Sequence, residues 1–207
     1  MVSTRGDVLE LAILGELLVT PLHGYELRKR LNTTLGTIRT LSYGSLYPCL
    51  KRLVAGGWIE QAETPPRGLS GRRARIVYRL TPAGRHRLAD SLADVDPAAW
   101  DDESFTVRFS LFAETTREAR LQVLQGRRAR MVHRRSALRQ QLHGAHSRWD
   151  RYTVELQRHG LEQLESEIEW LDTLIDAERT SGPAADPTAP TDPEPADPVP
   201  PSNEHPG

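Results

Sequence analysis

Residues 42–53 read SYGSLYPCLKRL. Leu46, Leu50 and Leu53 recur at i, i+4 and i+7, the spacing of one face of a helix. The other face carries Tyr43, Ser45, Tyr47, Lys51 and Arg52, and Pro48 sits among them. Two N-cap positions are open. With Ser45 as cap, Pro48 falls in the first turn, where the backbone amide has no intrahelical partner and proline costs little. With Ser42 as cap, Pro48 lies a turn deeper and should kink the helix.

The flanks decide what this helix is for. Asp7–Val19 is apolar at Val8, Leu9, Leu11, Ala12, Leu14, Leu17 and Leu18, too broad a set for one surface stripe, so a largely buried helix is expected. Thr20-Pro21-Leu22-His23-Gly24 breaks it. A second helix is predicted from about Gly24 to Leu31, with Tyr25, Leu27 and Leu31 in the core, and Asn32–Thr40 reads as a linker. The opening stretch is the third helix, ended by Gly56-Gly57. Trp58–Glu63 reads as a strand and Thr64–Arg73 as a loop rich in Pro, Gly and Arg. Arg75–Leu80 is a second strand, with Ile76, Tyr78 and Leu80 on one face. Thr81-Pro82 is N-cap and first residue of a fourth helix whose apolar side is Leu88, Leu92 and Val95.

Three helices, a strand, a loop, a strand and a further helix describe a winged helix-turn-helix, a mainly α unit with a small β-hairpin. In that arrangement the third helix enters the major groove and the hairpin loop lies beside it. Charge agrees. The chain has 207 residues and a net charge of −1, but residues 1–95 carry +6, residues 96–182 carry −2 and residues 183–207 carry −5. A basic front end suits a polyanion and the acidic end does not. Residues 183–207 hold nine prolines and almost no large apolar groups, so a disordered tail is expected there. The domain division that follows is 1–95 for DNA binding, 96–180 for a helical dimerisation and effector domain, and 181–207 for the tail.

Two long helices are predicted in the middle domain. Thr116–Leu142 has Leu121, Leu124, Met131, Leu138 and Leu142 at heptad positions, interrupted by Arg128 and Arg135. Beyond a break near Gly144, Leu161, Leu164, Ile168, Leu171 and Ile175 make an uninterrupted a/d repeat. These five are candidate dimerisation residues; the other reading is an intramolecular antiparallel hairpin. Arg127, Arg128, Arg130, Arg134 and Arg135 could face Glu162, Glu165, Glu167, Glu169 and Asp172 across either one, or form a second nucleic-acid surface. Between the domains, Trp100, Phe105, Phe109 and Phe112, with Leu111, are either the domain–domain core or the lining of an effector pocket.

Other classes have little support. No run of about 18 apolar residues suggests a membrane span, and Glu10 and Glu16 interrupt the first apolar run, against a secretion signal. One cysteine, Cys49, excludes an internal disulfide and fits a cytoplasmic chain; it reads as a small buried hydrophobe. His143 and His146 are one turn apart with no ligand set to complete a metal site. No phosphate loop, nucleophile elbow or paired-carboxylate motif appears, so neither enzyme activity nor a cofactor is expected.

Three blocks resemble the phenolic-acid decarboxylase regulator (PadR) family. They are Leu9–Gly15 leading to Pro21-Leu22-His23-Gly24-Tyr25-Glu26-Leu27, then Ser42-Tyr43-Gly44-Ser45-Leu46-Tyr47-Pro48 with Leu50 and Leu53, then Gly71-Arg72 through Tyr78-Arg79-Leu80-Thr81 to Gly84. Glu167-Ile168-Glu169-Trp170-Leu171 resembles the end of the family's C-terminal domain. The resemblance implies a dimeric winged-helix transcription factor, usually a repressor. By position, Ser42, Tyr43, Gly44, Ser45 and Tyr47 match the recognition block, and Arg72, Arg73 and Arg75 match the wing. The wing strand has one cation fewer than the family often shows, and Arg67 stands near it. With Lys51 and Arg52 these are the candidate DNA-binding residues. The expected partners are a palindromic double-stranded operator, a second copy of the chain and a small-molecule inducer. The alternative is a winged helix that serves as a protein-interaction module.

Overall fold

The computed structural model describes residues 5–35, 43–64, 75–145 and 150–180. Helix α1, Arg5–Val19, is buried along much of its circumference, with Ile13 and Leu14 essentially inaccessible, as its broad apolar set requires. Strand β1, Leu22–His23, follows. It lies in the stretch read only as a break, because two residues offer no periodicity to detect.

Helix α2 runs from Gly24 to Leu35, four residues past the expected end. Thr34 Oγ1 donates to Glu16 Oε1 at 3.0 Å and ties this extra turn to α1. Leu27 and Leu31 are fully buried, but Tyr25 is 68% exposed and does not belong to the core. Tyr25 precedes Leu27 by two residues, which places it about 200° around the helix. Helix α3 is Tyr43–Ala55. Pro48 is therefore well inside it rather than in a first turn starting after Ser45, and the Gly44 carbonyl loses its usual i+4 donor.

Gly57 ends the turn after α3 with φ of +70°, a conformation that favours glycine. Trp58 N–H donates to the Leu53 carbonyl at 3.0 Å, and strand β2 begins at Ile59 and runs to Thr64. Strand β3 is Arg75–Leu80. The two pair antiparallel from Ile59↔Leu80 to Thr64↔Arg75, and β1 joins the other edge of β3 through Leu22↔Tyr78. The expected hairpin is thus part of a three-stranded sheet in the order β1-β3-β2. Tyr78 and Leu80 are buried, whereas Ile76, on the same face but at the other end of the strand from Leu80, is exposed.

Helix α4, Pro82–Ala93, starts as its sequence demands. Thr81 Oγ1 accepts from Gly84 N–H at 3.0 Å and donates to the Gly57 carbonyl at 2.7 Å. A Cβ on Gly84 would lie 2.0 Å from the Trp58 carbonyl oxygen, so only glycine lets α4 cross the base of the hairpin this closely. Leu88 and Leu92 enter the first core; Val95 lies past the helix and packs in the second.

After a short 3-10 turn at Pro97–Trp100, helix α5, Asp102–Ser110, bridges the two cores. Val107 is buried among the side chains of α1–α4, and Phe105 is buried with the long helices. Helices α6, Arg117–Ala145, and α7, Arg151–Thr180, form an antiparallel hairpin within the chain. Ile168, Leu171 and Ile175 bury against Val123, Leu124 and Met131 of α6, with Leu164 partly buried beside them. Most of the a/d stripe read as a dimerisation seam is thus occupied inside one chain. Among the described residues, no helix is long and apolar enough to cross a membrane.

Candidate nucleic-acid interface

Helix α3 is held from behind by Leu46, Cys49, Leu50 and Leu53, all at most 2% exposed. This leaves the opposite side open. Gly44, Tyr47, Lys51 and Arg52 are exposed there, and Ser45 is half-buried at its margin. Among the described residues no carboxylate pairs with Lys51 or Arg52. The Arg52 guanidinium lies 3.6 Å from Cys49 Sγ. Burial pushes the Cys49 thiol up from its ordinary pKa, more than Arg52 pulls it down, so the thiol is an inert packing group at neutral pH.

Tyr47 leans toward the start of α2. A Cβ on Gly24 would lie 3.3 Å from its hydroxyl oxygen and 3.6 Å from the Tyr78 ring. Burial, together with the nearby Tyr47 phenol, raises the pKa of Tyr78. These rings border a cavity of about 640 Å³ between α2, α3 and β3, with Tyr25, Glu26 and Ile76 also on its walls. His23, at its edge, is within 3.2 Å of the Ile76 carbonyl through Nδ1, a contact suited to the tautomer that carries its proton there. No signal in the sequence brought Tyr25 and Glu26 together with Tyr47, because their proximity depends on how α2 and α3 pack.

Ser42, Arg67, Arg72 and Arg73 lie outside the described residues, while the backbones of Tyr43 and Arg75 open α3 and β3. On the described part of the hairpin, Arg79 pairs across strands with Glu60 at 3.6 Å.

A helix with an apolar back and a cationic, phenolic front, carried beside a β-hairpin, is a fold arrangement with known relatives. Residues 11–90 match the model of the Transcriptional regulator PadR-like family. That segment is a PadR-like winged helix. Solved structures similar to this chain include Bacillus subtilis PadR in complex with operator DNA, at 22% identity over 83% of this chain and 99% of that one, TM-score 0.41. The same Bacillus subtilis protein in complex with p-coumaric acid is 21% identical over 83% and 99%, TM-score 0.37. A transcriptional regulator from Clostridium thermocellum is 25% identical over 42% of this chain and 80% of its own, TM-score 0.37. No curated protein matches the sequence.

Beyond the PadR-like segment lies the aromatic group. Phe105 stacks on Phe109 with centroids 5.7 Å apart, and Phe109 meets Phe112 at 4.9 Å. Trp170 of α7 joins them, reaching Phe109 at 5.3 Å and Phe105 at 6.2 Å. Its heptad neighbours pointed to a helix seam, and only the hairpin brings it to α5. Trp100 is apart from these rings, against α6. A Cβ on Gly126 would come within 2.0 Å of its indole, whose buried N–H has no hydrogen-bond partner among the described residues.

Most arginines of α6 are engaged, Arg135 being the exception among the described residues. Arg127, 6% exposed, donates to Glu167 at 2.8 Å and to the Trp100 carbonyl at 2.9 Å, pairs with Asp102, and lies 5.1 Å over the Phe105 ring. Arg128 pairs with Asp172, Arg139 with Glu165, and Arg130 with Asp101 at 2.7 Å. Arg120 makes a two-pronged pair with Glu178, both contacts at 3.0 Å. Of the five arginines read from the sequence, Arg127 and Arg128 thus meet carboxylates of α7 across the hairpin, while Arg130 and Arg134 turn to Asp101 and Asp102 at the start of α5.

Proposed function

We propose that the chain is a sequence-specific DNA-binding transcriptional regulator that acts as a homodimeric repressor in the cytoplasm and is released by a small-molecule effector. The observation that carries the reading is the open side of α3, with Tyr47, Lys51 and Arg52 presented by a PadR-like winged helix whose other side is sealed by leucines. Tyr43, Gly44 and Ser45 at the start of the same helix, with Ser42 before it, complete the recognition surface. Arg67, Arg72, Arg73 and Arg75 supply phosphate contacts from the wing. Bacillus subtilis PadR, whose operator complex is solved, is a precedent for such a target. Repression needs only occupancy of the operator, whereas activation needs further contacts with polymerase.

Dimerisation is supported by a second stripe on α7. Tyr152 is 81% exposed, Leu156 is 67% exposed and Trp170 is partly exposed; their spacing of 4 and 14 residues keeps them on one side of the helix. A second copy covering this stripe would set two winged helices on the two half-sites of a palindrome. An effector at Phe105, Phe109 and Phe112 would have to part rings that now touch, and one reaching Trp100 would also have to displace it from α6, so that either would act on the joint between the two cores.

A gel-shift titration at two salt concentrations tests the reading, with DNA from upstream of the chain's own gene and a scrambled duplex of equal length. Preference for the upstream DNA by about 10³ or more is expected. Equal, salt-sensitive binding to both would remove sequence specificity, and no binding to either would leave the interaction-module alternative.

A further inference from the structure

The cavity between α2, α3 and β3 has a composition that a phosphate site would not have. Three phenol rings converge on it from three elements: Tyr25 from α2, Tyr47 from α3 and Tyr78 from β3. Glu26 brings a carboxylate, and none of the described residues lining it is a lysine or arginine. We propose that this cavity binds a small organic ammonium ion, and that its occupancy excludes DNA from the Tyr47 side of α3.

Size permits it, since cavities that take small ligands are commonly about 300–1,000 Å³. The chemistry favours a cation over an anion. Aromatic rings attract an ammonium group through their quadrupoles, most strongly when several surround it and water is displaced. Glu26 adds a full negative charge. Its partner Arg30 is 3.9 Å away, and both side chains are about two-fifths exposed, so the pair is solvent-screened and leaves the carboxylate available. The start of α2 contributes an opposing dipole of about half a unit charge, less than the charge of Glu26. Gly24 keeps the space open, because a methyl there would press on the Tyr47 hydroxyl. The exclusion of DNA rests on the reading of α3 given above; the cation site does not.

Isothermal titration calorimetry of the full chain with choline, and with the neutral alcohol in which a quaternary carbon replaces the nitrogen, tests the site. Choline should bind about three- to fivefold more tightly than the alcohol, the scale of a cation–π contact at partly exposed rings. Glu26→Gln and Tyr25→Ala should each weaken choline about as much, with thermal melts close to the parent because Tyr25 is largely exposed and the Glu26 pair with Arg30 is solvent-screened. Absence of choline binding, equal binding of the alcohol, or choline affinity unchanged in both variants would overturn the proposal. In a gel shift, saturating choline should weaken DNA binding by the parent and not by Glu26→Gln. Choline bound with DNA affinity unaltered would overturn the exclusion and the placement of Tyr47 on DNA. A chain that binds choline but no DNA would overturn the regulator reading and leave the cation site standing.

Discussion

The cations of α3 and those of α6 have opposite fates. Lys51 and Arg52 stand on an exposed helix face with no carboxylate partner among the described residues, while Arg120, Arg127, Arg128, Arg130 and Arg139 each meet one. Counting arginines would have put the stronger polyanion surface on α6. The distribution of carboxylates reverses that, because α7 runs back along α6 with Glu165, Glu167, Asp172 and Glu178 at matching heights. A row of positive residues indicates a nucleic-acid surface only where the fold leaves it unneutralised.

The sharpest way to break this contrast is Arg127→Ala. It would remove a buried cation that pairs with half-buried Glu167 and with the largely exposed Asp102, and should destabilise the chain by about 1–2 kcal/mol, the solvent-exposed side of the pair being screened, read by chemical denaturation, with DNA affinity of the folded fraction unchanged. The same pair predicts acid sensitivity. Burial alone would raise the Asp102 carboxyl, but the hydrogen bond and charge of Arg127, with Arg134 and Arg130 behind it, hold it below its ordinary value. A depressed folded pKa means stability that is present above the unfolded value of about 3.9 and is lost as pH falls through the folded value. The parent should therefore lose stability below about pH 4, and Arg127→Ala should lose less over that window.

Tyr47→Ala makes the converse test. Operator affinity should fall by about tenfold or more with the melting temperature little changed, and an unaltered affinity in a folded variant would remove α3 from the interface. Lys51→Ala should weaken operator and scrambled DNA alike and reduce the salt slope by about one; a loss confined to one sequence would mean base readout instead. The smallest effect is expected for Arg139→Ala. Its pair with Glu165 is half in solvent, so stability should change by less than about 1 kcal/mol in the same denaturation experiment.

Much of the winged unit was legible because its signals are local. The Leu46, Leu50 and Leu53 period placed α3, and Thr81-Pro82 placed the start of α4 to the residue. Tyr25 was misread because an aromatic side chain beside Leu27 looks like core until the helix phase is set, and β1 was missed because it exists only through its pairing with Tyr78 and Val77. The long helices were legible as helices, but a heptad stripe is the same sequence whether its partner is in the same chain or another. Pairing of Arg127 with Glu167 was available in outline from the charges, while the docking of Trp170 on Phe109 was not, since it depends on the hairpin's registry. The cavity beside Tyr47 joins residues from three elements that no single window contains.

Gly84 has a mechanical meaning as well. With no side chain at that position, the α4 backbone rests directly on the Trp58 carbonyl at the root of the hairpin, and Thr81 fastens the same point from its other side. There is no compliant layer of side chains between them to absorb a displacement. A torque applied to the wing would pass to α4 with little slack, and from its far end to Val95 and the second core, which makes this joint a rigid lever rather than a hinge.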